Sequence, residues 1–333
     1  MNDFYKLYSI GKNTKKPYSR GKSFGYQVLG FGSGVSSAIA HRAVWAGNFL
    51  ANSSPSNIID FVEIATLGNA VDFGDQSVAR HRLNSSSASS TRGLWFGGNT
   101  QPTRLNVIDY VTIATQGNAT DFGDTSVLSQ HGGSAGNDTR AVHNIGDQSD
   151  DSVNILEYVT IANTGNTTDF GDQTLHRYPA GATSSNTRAI WAGGYSKPAG
   201  TQNIIDYITT ANTGNATDFG NLSGTRTSMS ACSSGTRAVF MGGNDDHNTM
   251  EYVTIASVGD VTDFGDLTSS ANDTSGASSN KIRGVMAKGG TPNRSANIDY
   301  ITIATTGNAA DFGDRTVEAT YGGCCSNGNG GLA

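Results

Sequence analysis

The stretch NVIDYVTIATQGNATDFGD, residues 106–124, decides the fold, because near-copies of it fill the chain. NIIDFVEIATLGNAVDFGD begins at Asn57, NILEYVTIANTGNTTDFGD at Asn154 and NIIDYITTANTGNATDFGN at Asn203. A shortened TMEYVTIASVGDVTDFGD begins at Thr249, and NIDYITIATTGNAADFGD at Asn297. Their Asp-Phe-Gly triplets start at Asp72, Asp121, Asp169, Asp218, Asp263 and Asp311, in steps of 49, 48, 49, 45 and 48 residues. A period in this range marks a repeat architecture, in which each unit buries its apolar face against its neighbours.

Each repeat reads as four short strands. The first is a run of small residues such as 84–90, and the second an Arg-led apolar run such as TRGLWFGG at 91–98. The third is β-branched (107–115), and the fourth centres on Asp-Phe-Gly. Between the third and fourth sits Gly-Asn or Gly-Asp: Gly68-Asn69, Gly117-Asn118, Gly165-Asn166, Gly214-Asn215, Gly259-Asp260 and Gly307-Asn308. Both residue types accept the positive φ of a tight hairpin turn. Four antiparallel strands per unit of about 48 residues is a propeller blade, and six units predict an all-β, six-bladed β-propeller. A β-solenoid competes, but it needs atypical caps, whereas a closed ring covers its own ends.

The chain divides into a basic arm at 1–22, a propeller at 23–327 and a flexible Gly-rich tail at 328–333. For closure, Ser23-Phe24-Gly25 reads as a worn fourth strand and residues 320–327 (TYGGCCSN) as a seventh first strand. Which terminus completes the ring stays open at this stage.

Charge is uneven. Net charge is −6, yet Lys6, Lys12, Lys15, Lys16, Arg20 and Lys22 stand against Asp3 alone in the arm. The remaining residues carry 16 basic and 27 acidic side chains, a balance of −11. The arm, which also carries Phe4, Tyr5, Tyr8 and Tyr18, is expected to anchor the protein on an acidic partner. An acidic body disfavours nucleic-acid binding. Three cysteines (Cys232, Cys324, Cys325) form no disulfide or metal pattern, which fits folding in a reducing cytosol. No apolar run reaches membrane-spanning length.

The repeated residues read as scaffold. Phe73, Phe122, Phe170, Phe219, Phe264 and Phe312 are expected to wedge between adjacent blades. A kinase-type metal role for the triplet fails, because six copies exist without a catalytic or nucleotide loop. Asp pairs such as Asp121 and Asp124 match no calcium loop, and Asn221 replaces one of them, so turn capping is expected instead. Arg42, Arg92, Arg140, Arg188, Arg237 and Arg283 open the second strands; pairing with the repeated Asp residues is expected over a ring that binds anions. The six histidines are scattered, and nucleophile elbows and phosphate loops are missing, so the chain reads as a non-enzyme without a cofactor or metal.

What varies is the connection between the second and third strands: 48–56, 99–105, 147–153, 195–202, 244–248 and 291–296. A varied face on a constant scaffold is where recognition is expected. Asn99, Asp147, Asp150, Asp151, Tyr195, Lys197, Asp245 and Asp246 are its candidate residues.

The Gly-Gly ending of strand two and the acidic-Tyr pairs of strand three (Asp109-Tyr110, Glu157-Tyr158, Asp206-Tyr207, Glu251-Tyr252, Asp299-Tyr300) resemble kelch-type propeller repeats. The kelch Trp between strands three and four is missing, and the triplet Phe stands in its place. The wording EYVTIASVGDVTDFGD resembles repeats in virion-associated proteins of tailed marine bacteriophages, over about residues 25–325. That resemblance implies a capsid or tail component in several symmetric copies, contacting other virion proteins and assembled in the host bacterial cytoplasm. The alternative it leaves open is an adhesin for host-surface polysaccharide.

Overall fold

The structure, a computed structural model, describes residues 41–332 except 84–85, 150, 179, 245–246 and 291–293. It is an all-β, six-bladed propeller of four-stranded antiparallel blades. Blade 2 shows the plan: Ser86–Ala88, Arg92–Phe96, Leu105–Thr112 and Thr120–Ser129 pair in that order. In blade 1 the order is Gly323–Ser326, Arg42–Ala46, Ser56–Glu63, Val71–Arg80. The C-terminal strand therefore closes the ring, and residues 320–327 do contain a seventh first strand. Ser23-Phe24-Gly25 lie outside the described residues, and all six blades have four strands without them.

The first strands are innermost and pack on one another around the axis. Their small side chains (Ser87, Ala88, Ala135, Gly136, Ala182, Ser278) let six strands converge, leaving an axial cavity of about 40 Å³. That volume is on the scale of one water molecule. Residues 328–332, expected to be a flexible tail, are instead almost wholly buried. A Cβ on Gly330 would strike the Ser233 hydroxyl, and one on Gly331 the Gly136 carbonyl, so this glycine run seals one end of the channel.

The core is distributed over the six seams. Phe122 packs with Leu94, Phe96 and Ile108 of its own blade and with Ala141, Val159 and Ile161 of the next. Equivalent clusters surround the other five triplet phenylalanines, including the closing seam, where Phe312 meets Ala43, Trp45, Val62 and Ile64. All six are 2% exposed. The expected wedge is what the fold contains.

A β-bulge presents each wedge. Ile108 pairs with Gly123 and Asp109 with Asp121, so Phe122 is an extra residue with no cross-strand partner. The bulge leaves its carbonyl free for the neighbouring blade. Gly165 N–H donates to Phe122 O (2.7 Å), Thr167 N–H to Asp124 O (2.9 Å), and Asp124 N–H to Asn166 Oδ1 (3.0 Å). The same three-bond clasp recurs at every seam. The triplet glycine sits at φ 135–148°, and a Cβ there would meet the next turn's carbonyl at 2.4–2.6 Å, so only Gly permits the clasp.

A second set of links lies deeper. In five blades the third-strand acid accepts from an amide or hydroxyl of the preceding blade: Ser77 N–H and hydroxyl on Asp109, Thr174 on Asp206, Thr268 on Asp299, Thr316 on Asp60 and Ser126 N–H on Glu157. Buried cations neutralise most of the third-strand acids: Arg80–Asp109 at 3.0 Å, Arg177–Asp206 at 2.7 Å, Arg315–Asp60 at 2.7 Å, Lys288–Asp299 at 3.1 Å, and Arg226 on Glu251. Four of these five cations come from the preceding blade; Lys288 comes from the same blade.

Phe122→Ala should cost about 3–5 kcal/mol in chemical denaturation, because a fully buried aromatic is lost. The clasp also explains Asn221: it faces Asp260, whose Oδ1 accepts the Asn221 N–H at 2.8 Å, where other seams set Asp against Asn. Asn221→Asp should therefore destabilise by roughly 0.2–1 kcal/mol through facing carboxylates, and adding Asp260→Asn should restore stability. Additive effects in that double-mutant cycle would refute the pairing.

Candidate functional site

Strand direction alternates, so the 2–3 connections share one face with the 4–1 connections that lead to the innermost strands. Among the candidates there, Asp151 and Lys197 are exposed and Tyr195 is half-buried. Their loops adjoin, since Lys197 N–H donates to Ser152 Oγ at 3.0 Å. Asn99 and Asp147 are corrections to the expected display. Asn99 is 5% exposed and shapes its own loop, its backbone bridging to His81 and Arg104. Asp147 is 9% exposed, accepts from Gln130 Nε2 at 2.8 Å and pairs with Arg104 at 3.3 Å. Asp150, Asp245, Asp246 and the six arm cations lie outside the described residues.

The second-strand arginines neither bind the repeated Asp residues nor ring an open anion site. Arg92 stacks over Tyr110 of its own blade, 4.7 Å from the centroid, and donates to Ile161 O and Ala162 O of the next. The other five repeat this bridge, from Arg42 over Phe61 to Arg283 over Tyr300. Among the described residues only Arg42 of the six has a carboxylate at hand, Glu63 at 2.9 Å. Cation–π contact and carbonyl acceptance satisfy these cations within the seam. The expected Asp capping is likewise supplied by the turn Asn, whose side chain takes the backbone amide. Among the described residues no three His, Cys, Asp or Glu side chains converge as metal ligands.

The group that sequence reasoning missed stands in the 4–1 connections. Arg82 (φ 61°), His131 (57°), Ser228 (55°), Asp273 (49°) and Tyr321 (57°) occupy corresponding positions just before the innermost strands. Hydrogen bonds join them round the channel mouth: His131 N–H to Arg82 O (3.2 Å), Leu83 N–H to Tyr321 O (3.1 Å), Tyr321 N–H to Asp273 O (3.3 Å) and Thr274 N–H to Ser228 O (3.2 Å). A left-handed backbone with a β-carbon costs about 1 kcal/mol or more per residue. The sequence signal was present in part: five different polar or aromatic residues fill one repeat position.

An aromatic arc runs through this rim. Tyr195 stacks on Tyr178 (5.5 Å between centroids), and Tyr178 on His131 (5.3 Å). His131 meets Tyr321 edge-on (6.3 Å), and Tyr321 meets His81 (6.4 Å). His81 stacks on Phe49 (4.5 Å), which Arg294 covers at 4.8 Å. Arg82 lies 6.0 Å from the Tyr321 centroid and donates to Gln130 Oε1 at 3.1 Å. Burial, then the Arg82, His81 and Arg104 charges, pull His131 down to about 3. Burial and Arg82 pull His81 to about 4, and its Nδ1–H donates to Asn99 O. Burial, then the Asp147 and Tyr195 charges, push Tyr178 up to about 12. Near neutral pH His81 and His131 are therefore uncharged, and the half-buried Arg82 guanidinium lies beside them. Aromatic rings beside a planar donor can stack on and hydrogen-bond a ligand.

No protein-family model matches the chain, and no curated protein matches it.

His81, His131 and His143 share a pH consequence. His143 sits in a second strand where other blades place Trp, Phe or Met, stacks on Phe96 at 5.0 Å, and is pulled to about 3 by burial. Unfolding returns each to about 6.5, so between that value and 3–4 the unfolded chain binds more protons. The stability held above pH 6.5 should thus be lost progressively as pH falls toward 4, seen as a falling Tm. His143→Phe should make that slope shallower; an unchanged slope would sink the assignment for this residue.

Proposed function

We propose that this protein is a non-enzymatic structural component of a phage particle, decorating the capsid or tail. Its basic arm anchors it, and it presents the 2–3 and 4–1 connections outward. The observation that carries the reading is the division of labour between repeated and unrepeated residues. The triplets, turn Asn residues, third-strand acids and second-strand arginines all recur, and all are spent on seams between blades. Residues that differ from blade to blade gather on one face, as they do in a scaffold that carries a recognition surface. The repeat wording, similar to that of virion-associated proteins of tailed marine phages, supplies the particle. The arm's six cations against one acid, on a body of balance −11, supply an electrostatic means of docking to an acidic neighbour.

A second reading, a host-surface adhesin, is favoured by the aromatic arc, which has no role in joining the repeated seams. The two readings are compatible, since an outward face on a particle is where an adhesin works.

Deletion of residues 1–22 should remove the protein from purified particles, as counted by quantitative mass spectrometry, while leaving the propeller's Tm unchanged. An unchanged copy number per particle would refute the anchoring role of the arm.

A further inference from the structure

We propose that the 4–1 rim and its aromatic arc form a binding site for neutral saccharides, centred on His131, Tyr321 and Tyr178 beside Arg82. This rests on the reading of the protein as a binding scaffold and names the ligand class and the residues.

Three observations carry it. The first is the choice of residue at a strained position. This chain has 43 glycines and places them in left-handed backbone near the ends of the second strands, at Gly47, Gly97, Gly146, Gly193 and Gly242 (φ 58–78°). At the channel mouth the same kind of backbone is filled by Arg82, His131, Ser228, Asp273 and Tyr321. Glycine would serve the backbone there with less strain, so the side chains are retained for what they do. Strain of this kind concentrates where ligands are held.

The second is pre-organisation. Tyr195, Tyr178 and His131 stack in sequence with ring planes inclined by 27° and 28°, and each is half-buried. Their orientation is fixed before a ligand arrives, which lowers the entropic cost of binding. The cavity beneath, about 40 Å³ and lined by Ser86, Ser134 and Ser230, accepts a small protruding group but not a chain.

The third is chemistry. A pyranose ring offers apolar C–H faces and a hydroxyl edge, and it is matched by uncharged aromatic rings beside a planar donor. Here the rings are Tyr321, Tyr178 and neutral His131, and the donor is the half-buried Arg82 guanidinium, held by Gln130, which Asp147 orients from behind. A nucleic acid is opposed by the −11 body. The large exposed hydrophobics among the described residues, Leu67, Val71, Leu128, Val258 and Ile282, lie in the 3–4 turns, a 1–2 connection and fourth strands. None of them is in a 2–3 or 4–1 connection, so a partner that docks through a broad aliphatic patch is not matched on this face.

The left-handed backbone makes the test clean. His131→Gly and Tyr321→Gly remove the side chain while relieving strain, so the folded state should be preserved or made more stable. The full-length protein is titrated against amylose, mannan, cellulose-derived oligomers and chitin oligomers on an array, with hits measured by calorimetry. Heparin and a phosphorylated oligonucleotide serve as charged probes. The proposal expects binding to at least one neutral glycan, weakened about tenfold by either Gly substitution, with Tm unchanged or raised. Ile282→Ser, on the opposite face, should bind as wild type.

Wild type that binds no neutral glycan overturns the saccharide assignment, as do Gly variants that bind like wild type. Binding confined to the charged probes and lost in the Gly variants also overturns the ligand class, yet keeps the rim as a binding site and the scaffold reading with it. Failure of the scaffold reading itself shows differently: the Gly variants then change neither glycan binding nor adsorption of the particles to host cells.

Discussion

The contact on which this fold depends is the meeting of a triplet glycine with the hairpin turn of the next blade. Six blades that each carry only a thin apolar layer cannot be stable singly, so the problem the sequence solves is adhesion between neighbours. A bulge at each Phe lifts its carbonyl out of the sheet, and the turn amide of the following blade takes it at 2.7–3.0 Å. The Phe side chain goes into the seam at the same place. One irregularity in the strand thus yields a backbone hydrogen bond and a buried aromatic wedge together. Both require a glycine with no β-carbon behind the turn. The same clasp stands at every seam, the one between blade 6 and blade 1 included, so the ring closes with the contact that joins its other blades.

Within the seams the polar groups are matched locally. The third-strand acid is buried, and a lone buried carboxylate would be costly, so in four blades it collects an amide and a hydroxyl from the preceding blade, and in five a cation. Where Arg80, Arg177, Arg226 and Arg315 stand late in one blade, their guanidinium groups reach the acid of the next. Blade 6 uses Lys288 from its own second strand instead, with Ala271 at the position where Arg would reach across from blade 5. In blade 3 Glu157, one methylene longer, takes the Thr167 hydroxyl and the Ser126 amide. The requirement is a satisfied acid at the seam, and several side-chain solutions meet it.

The period, the four-strand unit, the turn and the wedge were legible because each is written six times, and repetition exposes what a single copy hides. The closing terminus was not read from the sequence, and the pair of substitutions that bears on it gains its meaning only from the contacts in the structure. Second strands begin Arg-Ala in four blades and Arg-Gly in two, at Gly93 and Gly284. Gly284 makes room for the Sγ of Cys232 on the preceding first strand, and Gly93 for that of Cys325. Since Cys325 aligns with Cys232, the C-terminal strand had to precede blade 2 and so complete blade 1. The arginines were misjudged for a physical reason. Sequence distance suggests a partner by charge, whereas a guanidinium beside a strand end finds unsatisfied carbonyls and an aromatic face closer than any carboxylate. Tryptophan was missed similarly: Trp45, Trp95 and Trp191 lie on second strands, and each indole donates to a carbonyl of the preceding blade's first-strand region or its approach.

The candidate site was least legible, because a site on a repeat protein is written in the departures from the repeat, and most departures are drift. Backbone geometry separates the two. Drift at an exposed loop carries no conformational cost, so it says nothing about use. The 4–1 rim differs: in its five described copies the φ values agree within a dozen degrees, from 49° to 61°, while the side chains share nothing. A position whose backbone is held constant against strain, and whose side chain is free to differ, is under two separate demands. The ring of hydrogen bonds between 4–1 connections accounts for the first. Glycine would meet that demand alone, so the second demand must come from what the side chains touch. Stacked rings, those of Tyr195, Tyr178, His131 and Tyr321 half-buried, stand round a sealed axial pit, and a ligand is what we propose they serve.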